Sequence, residues 1–166
     1  MLLVGGASRR FGSPKALARL DGETLAERAW HVLGEVCDER IAVGKAADAL
    51  PLPLPILDDG SEVRAPIAGV VAGLRTATND VCVFLPVDCP RVSARSLQAL
   101  AGAAPSRTPT GPLPGAYDKS LLPLLERKLA GGDYSLRDVP ATVVELDERE
   151  LANVNTVADL AALTTP

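Results

Sequence analysis

Apolar residues along this chain fall into two kinds of pattern, and the two kinds alternate. Short apolar runs end at turn-forming residues and predict strands at residues 2–4, 41–43, 56–57, 81–85 and 141–146. The run at residues 81–85 is apolar throughout, which is typical of a strand buried on both faces of a sheet.

Between the short runs, apolar residues recur at the spacing of one face of a helix. These stretches predict helices that begin near Thr24, Ile67, Ser93, Ser120 and Thr156. Thr24 and Glu27 have the spacing of a capping box, and Ser93 is a favourable N-cap residue. Residues 105–114 are rich in Pro, Thr and Gly and are expected to be irregular.

Strands that alternate with helices predict an α/β fold: a three-layer α/β/α arrangement around a mostly parallel, Rossmann-like sheet. The 166 residues contain no repeat and no linker-like segment, so residues 1–166 are expected to form a single domain. Ligands of such sheets bind beyond the carboxyl ends of the strands. Candidate chemistry should therefore lie in the loops that follow residues 4 and 85.

Composition narrows the classes of partner. The 17 Lys and Arg residues and 21 Asp and Glu residues give a formal net charge of −4, and aromatic residues make up 3%. Nucleic-acid or anionic-membrane partners would call for a basic surface or stacking aromatics, so neither is expected. No apolar run approaches the ~20 residues that a membrane span requires. Three separated cysteines and one histidine match no disulfide framework or metal motif, which favours a reduced, cytoplasmic setting.

A loop rich in glycine and basic residues, GGASRRFGSPK at residues 5–15, follows the first predicted strand. Glycines let the backbone turn at positive φ and approach a ligand, and successive N–H groups can point at phosphate oxygens. Arg9, Arg10 and Lys15 add positive charges that can neutralise the phosphates of a nucleotide. The loop is not a Walker A motif, because two residues separate Gly12 from Lys15. A surface turn with solvated charges is the alternative interpretation.

Carboxylates follow two of the predicted strands. Asp88 lies just past residues 81–85, where it can hold Mg²⁺ against an α-phosphate; an ordinary turn aspartate is the alternative. Asp58 and Asp59 follow the third predicted strand. Either carboxylate could accept hydrogen bonds from the adjacent N1–H and N2–H₂ groups of guanine, a donor pair that adenine lacks, and the alternative is a solvated turn.

Motifs that span most of the chain carry a resemblance to a known family. LVGGASRRFGSPKA, at residues 3–16, resembles the LAGGxSxRxGxxKA signature of the molybdenum cofactor guanylyltransferases and related nucleotidyltransferases. Further segments are similar to that family's LxGxxL, GPLAG, LPCDMP and NINT motifs: LDGETL at residues 20–25, APIAG at 65–69, LPVDCP at 85–90 and NVNT at 153–156. The APIAG and NVNT segments favour the guanylyltransferase branch.

The resemblance implies the nucleotide-diphospho-sugar transferase fold and Mg²⁺-dependent transfer of GMP from GTP to a molybdopterin-type phosphate, with release of pyrophosphate. It implies catalytic roles for Arg10, Lys15 and Asp88, with Asp88 as the metal ligand. The residues expected to bind the nucleotide are Leu3, Val4, Gly5, Gly6, Ser8, Arg9, Gly12, Lys15, Asp58, Asp59 and Gly69. Asn153 and Asn155 are expected to contact the acceptor, although both could simply cap the last helix.

Two other functions stay open at this point. The first is cytidylyl or other nucleotidyl transfer to a different small phosphate. The second is a nucleotide-binding module without turnover, against which the presence of both Lys15 and Asp88 argues. Besides GTP and the acceptor, transient contact with molybdoenzymes or other cofactor-biosynthesis proteins is a further expectation.

Overall fold

A computed structural model describes residues 1–5 and 11–164. Its strands are β1 (Leu2–Leu3), β2 (Arg19–Leu20), β3 (Glu23–Thr24), β4 (Ala42–Gly44), β5 (Ile56–Asp58), β6 (Val81–Pro86), β7 (Ser106–Thr108), β8 (Gly111–Asp118) and β9 (Thr142–Val143). Its α-helices are α1 (Leu25–Gly34), α2 (Pro66–Thr76), α3 (Ala94–Gly102), α4 (Leu122–Ala130) and α5 (Val157–Thr164). Within the described ranges, no helix has both the length and the apolarity to cross a membrane.

Seven strands form one sheet in the order β5-β4-β1-β6-β8-β7-β9. The first four are mutually parallel, β8 is antiparallel to both β6 and β7, and β9 is parallel to β7. The short strand β1 lies at the centre of the parallel part, where Leu2 is in register with Ala42 on one side and Leu85 on the other. The prediction of a mostly parallel α/β sheet is confirmed.

Side chains of successive strand residues point to opposite faces of the sheet, and each face has its own core. On one face, Leu2 and Leu85 pack with buried residues of α1 and α3. On the other face, Leu3 and Phe84 pack with buried residues of α2 and α4. The sheet therefore lies between two helical layers, as the alternating pattern predicts.

Local sequence determines where several of these elements begin. The Thr24 hydroxyl accepts a hydrogen bond from Glu27 N, and the Glu27 carboxylate accepts one from Thr24 N, so the predicted capping box of α1 is confirmed. The Ser93 hydroxyl accepts from Ser96 N at the start of α3, as predicted.

A two-strand hairpin, β2–β3, was outside the sequence prediction. Its turn places Asp21 at φ 53° and Gly22 at φ 90°, and positive φ at both central residues is what a type I′ turn requires.

Residues 105–114 are not irregular, and that prediction is wrong. They contain β7 and the first part of β8, which pair with a register shift between Arg107 and Thr108. Arg107 is opposite Gly115 while Thr108 is opposite Gly111, so the two prolines at 112 and 114 lie in a bulge that has no partner residue in β7. Proline is tolerated there because no ladder hydrogen bond needs its missing N–H. The predicted strand at 141–146 is shorter than expected and pairs only at Thr142–Val143.

Candidate active site

A cavity of about 240 Å³ opens at the carboxyl ends of the parallel strands. Leu3 and Gly5 line it from β1 and its loop, the segment after β5 contributes Asp59, and Asp88 follows β6. The start of α2 and Leu113 of β8 complete its wall. This is the position at which ligands bind open α/β sheets.

Two glycines at the base of this cavity let neighbouring side chains pack directly against the backbone. A Cβ atom at Gly69 in α2 would lie 2.9 Å from Leu3 Cδ2, and one at Gly44 would lie 2.8 Å from Val4 Cγ2. Both distances are too short for ordinary packing, so Gly69 lets α2 approach β1 closely, and Gly44 lets the end of β4 approach Val4 closely. Gly69 thus lines the cavity and also sets the distance between α2 and the sheet.

Lys15 joins two acceptors that come from distant parts of the chain. Its Nζ atom lies 3.3 Å from Asp88 Oδ2 and donates to Asn155 Oδ1 at 2.9 Å. The side chain of Lys15 is 17% exposed and that of Asp88 is 30% exposed, so both groups remain accessible from the cleft. A cation and a carboxylate in contact can bind a polyphosphate and its counter-ion together.

The segment before α5 is tied directly to the Asp88 loop. Val154 N donates to the carbonyl of Asp88 at 2.8 Å, and Cys89 Sγ donates to Asn153 Oδ1 at 2.9 Å. Burial raises the pKa of the Cys89 thiol, and the adjacent Asp88 carboxylate raises it further, so this group is a neutral donor at physiological pH. The thiol therefore fixes the Asn153 amide beside the site.

Neither asparagine caps α5 with its side chain. Thr156 Oγ1 accepts from Asp159 N at 3.1 Å, and Asp159 Oδ2 accepts in return from Thr156 N and Asn155 N. The helix start is thus satisfied by Thr156 and Asp159, and the Asn155 amide oxygen is left for Lys15.

The two neighbouring aspartates after β5 differ sharply in environment. Asp59 lines the cavity, its side chain is 7% exposed, and its Oδ1 atom lies 2.6 Å from Lys45 Nζ. Asp58 is exposed and is absent from the cavity wall, and its carboxylate accepts weak hydrogen bonds from Ala46 N and Gly60 N. Of the two candidates for the base contact, only Asp59 faces the cavity.

The remaining nucleotide-binding predictions fall in several places. Gly6, Ser8, Arg9 and Arg10 lie outside the described residues. Gly12 is exposed to solvent and has a φ of 75°, and the side chain of Val4 is buried in the core. Neither residue lines the cavity. Leu3, Gly5 and Gly69 do line it.

Sequence reasoning missed two charged residues of the cavity wall, Lys45 and Arg64. Lys45 follows β4 directly, at the same end of the sheet as Asp59 and Asp88. The expectation that ligands bind beyond the carboxyl ends of the strands could therefore have identified it from the sequence. Arg64 donates to the Asp48 carboxylate through both terminal guanidinium nitrogens, Nη1 and Nη2, and no local sequence pattern signals that contact.

A magnesium ion would find one carboxylate ligand in this part of the cleft. Among the residues that the structure describes, no group of three His, Cys, Asp or Glu side chains could hold a metal ion. Mg²⁺ usually takes one or two carboxylates and fills its coordination with phosphate oxygens and water. The Asp88 carboxylate fits that requirement, because its Oδ1 atom has only a weak contact, 3.7 Å, with the Cys89 thiol.

The fold is that of the nucleotidyltransferases, and it places a lysine and a carboxylate beside a glycine-lined cavity at the carboxyl ends of a mostly parallel sheet. More particularly, the chain belongs to the family of the MobA-like NTP transferase domain, whose model matches residues 1–145. The predicted family resemblance is thereby confirmed.

Named relatives and solved structures agree with this placement. A Rhodopirellula baltica protein named "Probable molybdenum cofactor guanylyltransferase" is 32% identical, and the match covers 96% of this chain and 88% of that protein. The Archaeoglobus fulgidus structure named molybdopterin-guanine dinucleotide biosynthesis protein A matches with a TM-score of 0.76 and 24% identity over 98% of this chain and 95% of that one. A Thermus thermophilus 2-C-methyl-D-erythritol 4-phosphate cytidylyltransferase has the same fold, with a TM-score of 0.71 and 16% identity over 97% and 94%. The fold is therefore common to enzymes named for different bases.

Proposed function

We propose that this protein transfers GMP from GTP to the phosphate of a molybdopterin-type acceptor and releases pyrophosphate. The observation that carries the proposal is the position of Asp59 and Asp88 on the wall of one cavity, beyond the strand ends. One carboxylate is available to a base and the other to the phosphates. The names of the relatives support the same acceptor and the same base.

The base proposal concerns Asp59. Guanine presents N1–H and N2–H₂ on one edge, and a carboxylate is the natural acceptor for these donors. Asp59 is mostly buried and lines the cavity, so a hydrogen bond to it would be shielded from competing water. Asp58, which is exposed, cannot provide that shielding.

The chemical proposal places the triphosphate beside the Lys15–Asp88 ion pair, within reach of both side chains. An oxygen of the acceptor phosphate attacks the α-phosphorus in line, a new P–O bond forms, and the bond from the α-phosphorus to the bridging oxygen of pyrophosphate breaks. Lys15 stabilises the negative charge on the phosphates, and no protein nucleophile is needed. Asp88 would hold Mg²⁺, which when bound supplies Lewis-acid stabilisation of charge on the phosphate oxygens.

The acceptor is assigned to the side of the cleft formed by Asn153 and Asn155. Both side chains are exposed, and each is held by one hydrogen bond, to Cys89 and Lys15 respectively. Amides fixed in this way suit a neutral, hydrogen-bonding ligand such as a pterin. A cytoplasmic location and transient contacts with molybdoenzymes or other cofactor-biosynthesis proteins belong to the same proposal.

A two-part experiment tests the function. Pyrophosphate release is measured with molybdopterin as acceptor and GTP, CTP or ATP as donor, with and without Mg²⁺, and calorimetry measures the binding of each nucleotide. The expected result is release only with GTP, acceptor and Mg²⁺ together. Tighter binding and turnover of CTP would replace guanylyl with cytidylyl transfer, and binding without release would identify a module without turnover.

A further inference from the structure

We infer that the ammonium group of Lys45 is a second reader of the base, and that it donates a hydrogen bond to the 6-oxo group of guanine beside the Asp59 carboxylate. This inference rests on the proposed function, because it concerns the nucleotide assigned to the cavity. It adds a specificity-determining residue that the motifs do not contain.

Lys45 is held at the cavity wall by two acceptors. It is the first residue after β4, and its side chain is 11% exposed. Its Nζ atom donates to Asp59 Oδ1 at 2.6 Å and also to the carbonyl oxygen of Ser61. An ammonium group has three N–H donors, so one remains without an acceptor among the residues that the structure describes.

Only one of the two carboxylate oxygens of Asp59 accepts hydrogen bonds from described residues. Its Oδ1 atom accepts from Lys45 Nζ and from Ser61 N, whereas Oδ2 accepts from no described residue. Every fully buried side-chain nitrogen or oxygen atom in the described parts of the chain has a hydrogen-bond partner. The Oδ2 atom therefore retains contact with open space, and the cavity is the space that Asp59 lines.

An N–H donor of Lys45 and the Oδ2 acceptor of Asp59 thus lie side by side on the cavity wall. Guanine carries the complementary acceptor and donors in the same order along one edge. Its edge presents the O6 acceptor next to the N1–H and N2–H₂ donors. Adenine and cytosine present an amino donor next to a ring-nitrogen acceptor, which would place the donor against the ammonium and the acceptor against the carboxylate. The pair consequently attracts guanine and repels the two bases of reversed polarity.

The pairing also explains how the Asp59 carboxylate can be kept in a largely buried position on the cavity wall. An isolated buried charge is strongly unfavourable, and the partner ammonium compensates the charge of Asp59 before any ligand binds. Lys45 could do this without touching the base. Nucleotides altered at single atoms separate the two roles, because only direct contact makes binding depend on the atom at position 6.

The test compares GTP, 6-thio-GTP and ITP by calorimetry with the wild-type protein, Lys45→Met and Asp59→Asn. Sulfur at position 6 is a weaker acceptor, so the wild type should bind GTP about tenfold tighter than 6-thio-GTP. Lys45→Met should bind these two equally well while it still prefers GTP to ITP, which lacks only the N2 amino group. Asp59→Asn should lose the preference over ITP.

Lys128→Met is the matched control. Lys128 lies on α4, its side chain has a similar exposure of 9%, and it pairs with Asp133 and Asp138, which follow the helix. It is absent from the cavity wall. It should leave all three affinities unchanged. Because Lys45→Met leaves Asp59 unpaired, Lys45→Gln serves as a second variant: it keeps an uncharged donor and should retain part of the preference for GTP over 6-thio-GTP. Circular dichroism verifies that each variant is folded.

Two results would overturn the inference alone: a wild type that binds GTP and 6-thio-GTP equally, or a Lys45→Met variant that keeps the wild-type ratio. In the second case Lys45 only neutralises Asp59. A wild type that binds ATP or CTP as tightly as GTP would instead reject the proposed guanine site, and the role of Lys45 with it.

Discussion

Lys15 shows how the fold creates a site from residues that the chain keeps far apart. Its hydrogen-bond partners Asp88 and Asn155 are 73 and 140 positions away in sequence. The carboxyl ends of neighbouring parallel strands bring the Asp88 loop to Lys15, and the hydrogen bond from Val154 N to the Asp88 carbonyl brings the segment before α5. The hydrogen bonds of the Lys15 side chain thus form only when its own loop, the Asp88 loop and the segment before α5 are all in position.

Removal of the Asp88 charge should abolish turnover without unfolding the protein. Asp88 lies beyond the end of β6 and is partly exposed, so Asp88→Asn removes a ligand charge and no core volume. We expect pyrophosphate release to fall by at least about a hundredfold, the scale of losing one electrostatic contact to a transition state. Asp80→Asn, at the exposed opposite end of the same strand, is the control and should keep wild-type activity. Near-normal Mg²⁺-dependent turnover in Asp88→Asn would exclude Asp88 as the metal ligand.

The two adjacent aspartates should respond differently to the same change. Asp59→Asn should weaken GTP binding by about tenfold to a few hundredfold, because each hydrogen bond to a charged group contributes roughly 1.5–3 kcal/mol. Asp58→Asn should be nearly neutral, since its carboxylate accepts only long hydrogen bonds from two backbone N–H groups and lies off the cavity wall. Calorimetric titration with GTP and ATP measures the preference. Equal GTP preference in Asp59→Asn and the wild type would remove Asp59 from base recognition.

At the scale of elements, the bulged pairing of β7 with β8 depends on Gly115. A Cβ atom there would lie 2.5 Å from the carbonyl oxygen of Pro112 and 2.8 Å from that of Ser106, and both are backbone atoms that cannot move independently. We expect Gly115→Ala to lower the free energy of unfolding by about 1–3 kcal/mol, the usual range for overpacking. Gly111→Ala, in the same strand but with no atom near its Cβ position, is the control. Urea denaturation measures both, and equal stability of the two variants would show that the bulge can relax.

Elements with strong local patterns could be predicted from the sequence, and those that depend on tertiary pairing could not. The buried strand β6 and the capping box at Thr24 each follow from a few adjacent residues. The β7–β8 pair was missed because its prolines argue against strands, and only the bulge makes them tolerable.

The same division holds for the candidate site. Asp88 and Lys15 follow from motif and strand-end position. The choice of Asp59 over Asp58, and the presence of Lys45, depend on which side chains turn toward the cavity, and an Asp-Asp-Gly turn encodes neither.

At the scale of the whole molecule, two cores share one sheet, which predicts a single cooperative unfolding transition. Trp30, the only tryptophan, packs against the core on the α1 and α3 face. Leu74 is fully buried in α2 on the opposite face. If residues 1–166 unfold as one unit, Leu74→Ala should shift the unfolding transition measured by Trp30 fluorescence. It should do so although the truncated side chain and Trp30 lie on opposite faces of the sheet.

The experiment follows urea unfolding by Trp30 fluorescence and by far-ultraviolet circular dichroism. Leu74→Ala should lower the free energy of unfolding by about 2–5 kcal/mol and move both midpoints together. Ile67→Val, with an expected cost of about 0.5–1.5 kcal/mol, gives the same comparison if the larger truncation leaves too little folded protein. Val157→Ala, at a position 60% exposed, is the control and should shift neither midpoint. Because the strands of the shared sheet contribute side chains to both faces, neither helical layer can lose its packing alone. A circular dichroism midpoint that shifts while the Trp30 midpoint stays fixed would mean that the two faces unfold separately and that the chain is not a single cooperative domain.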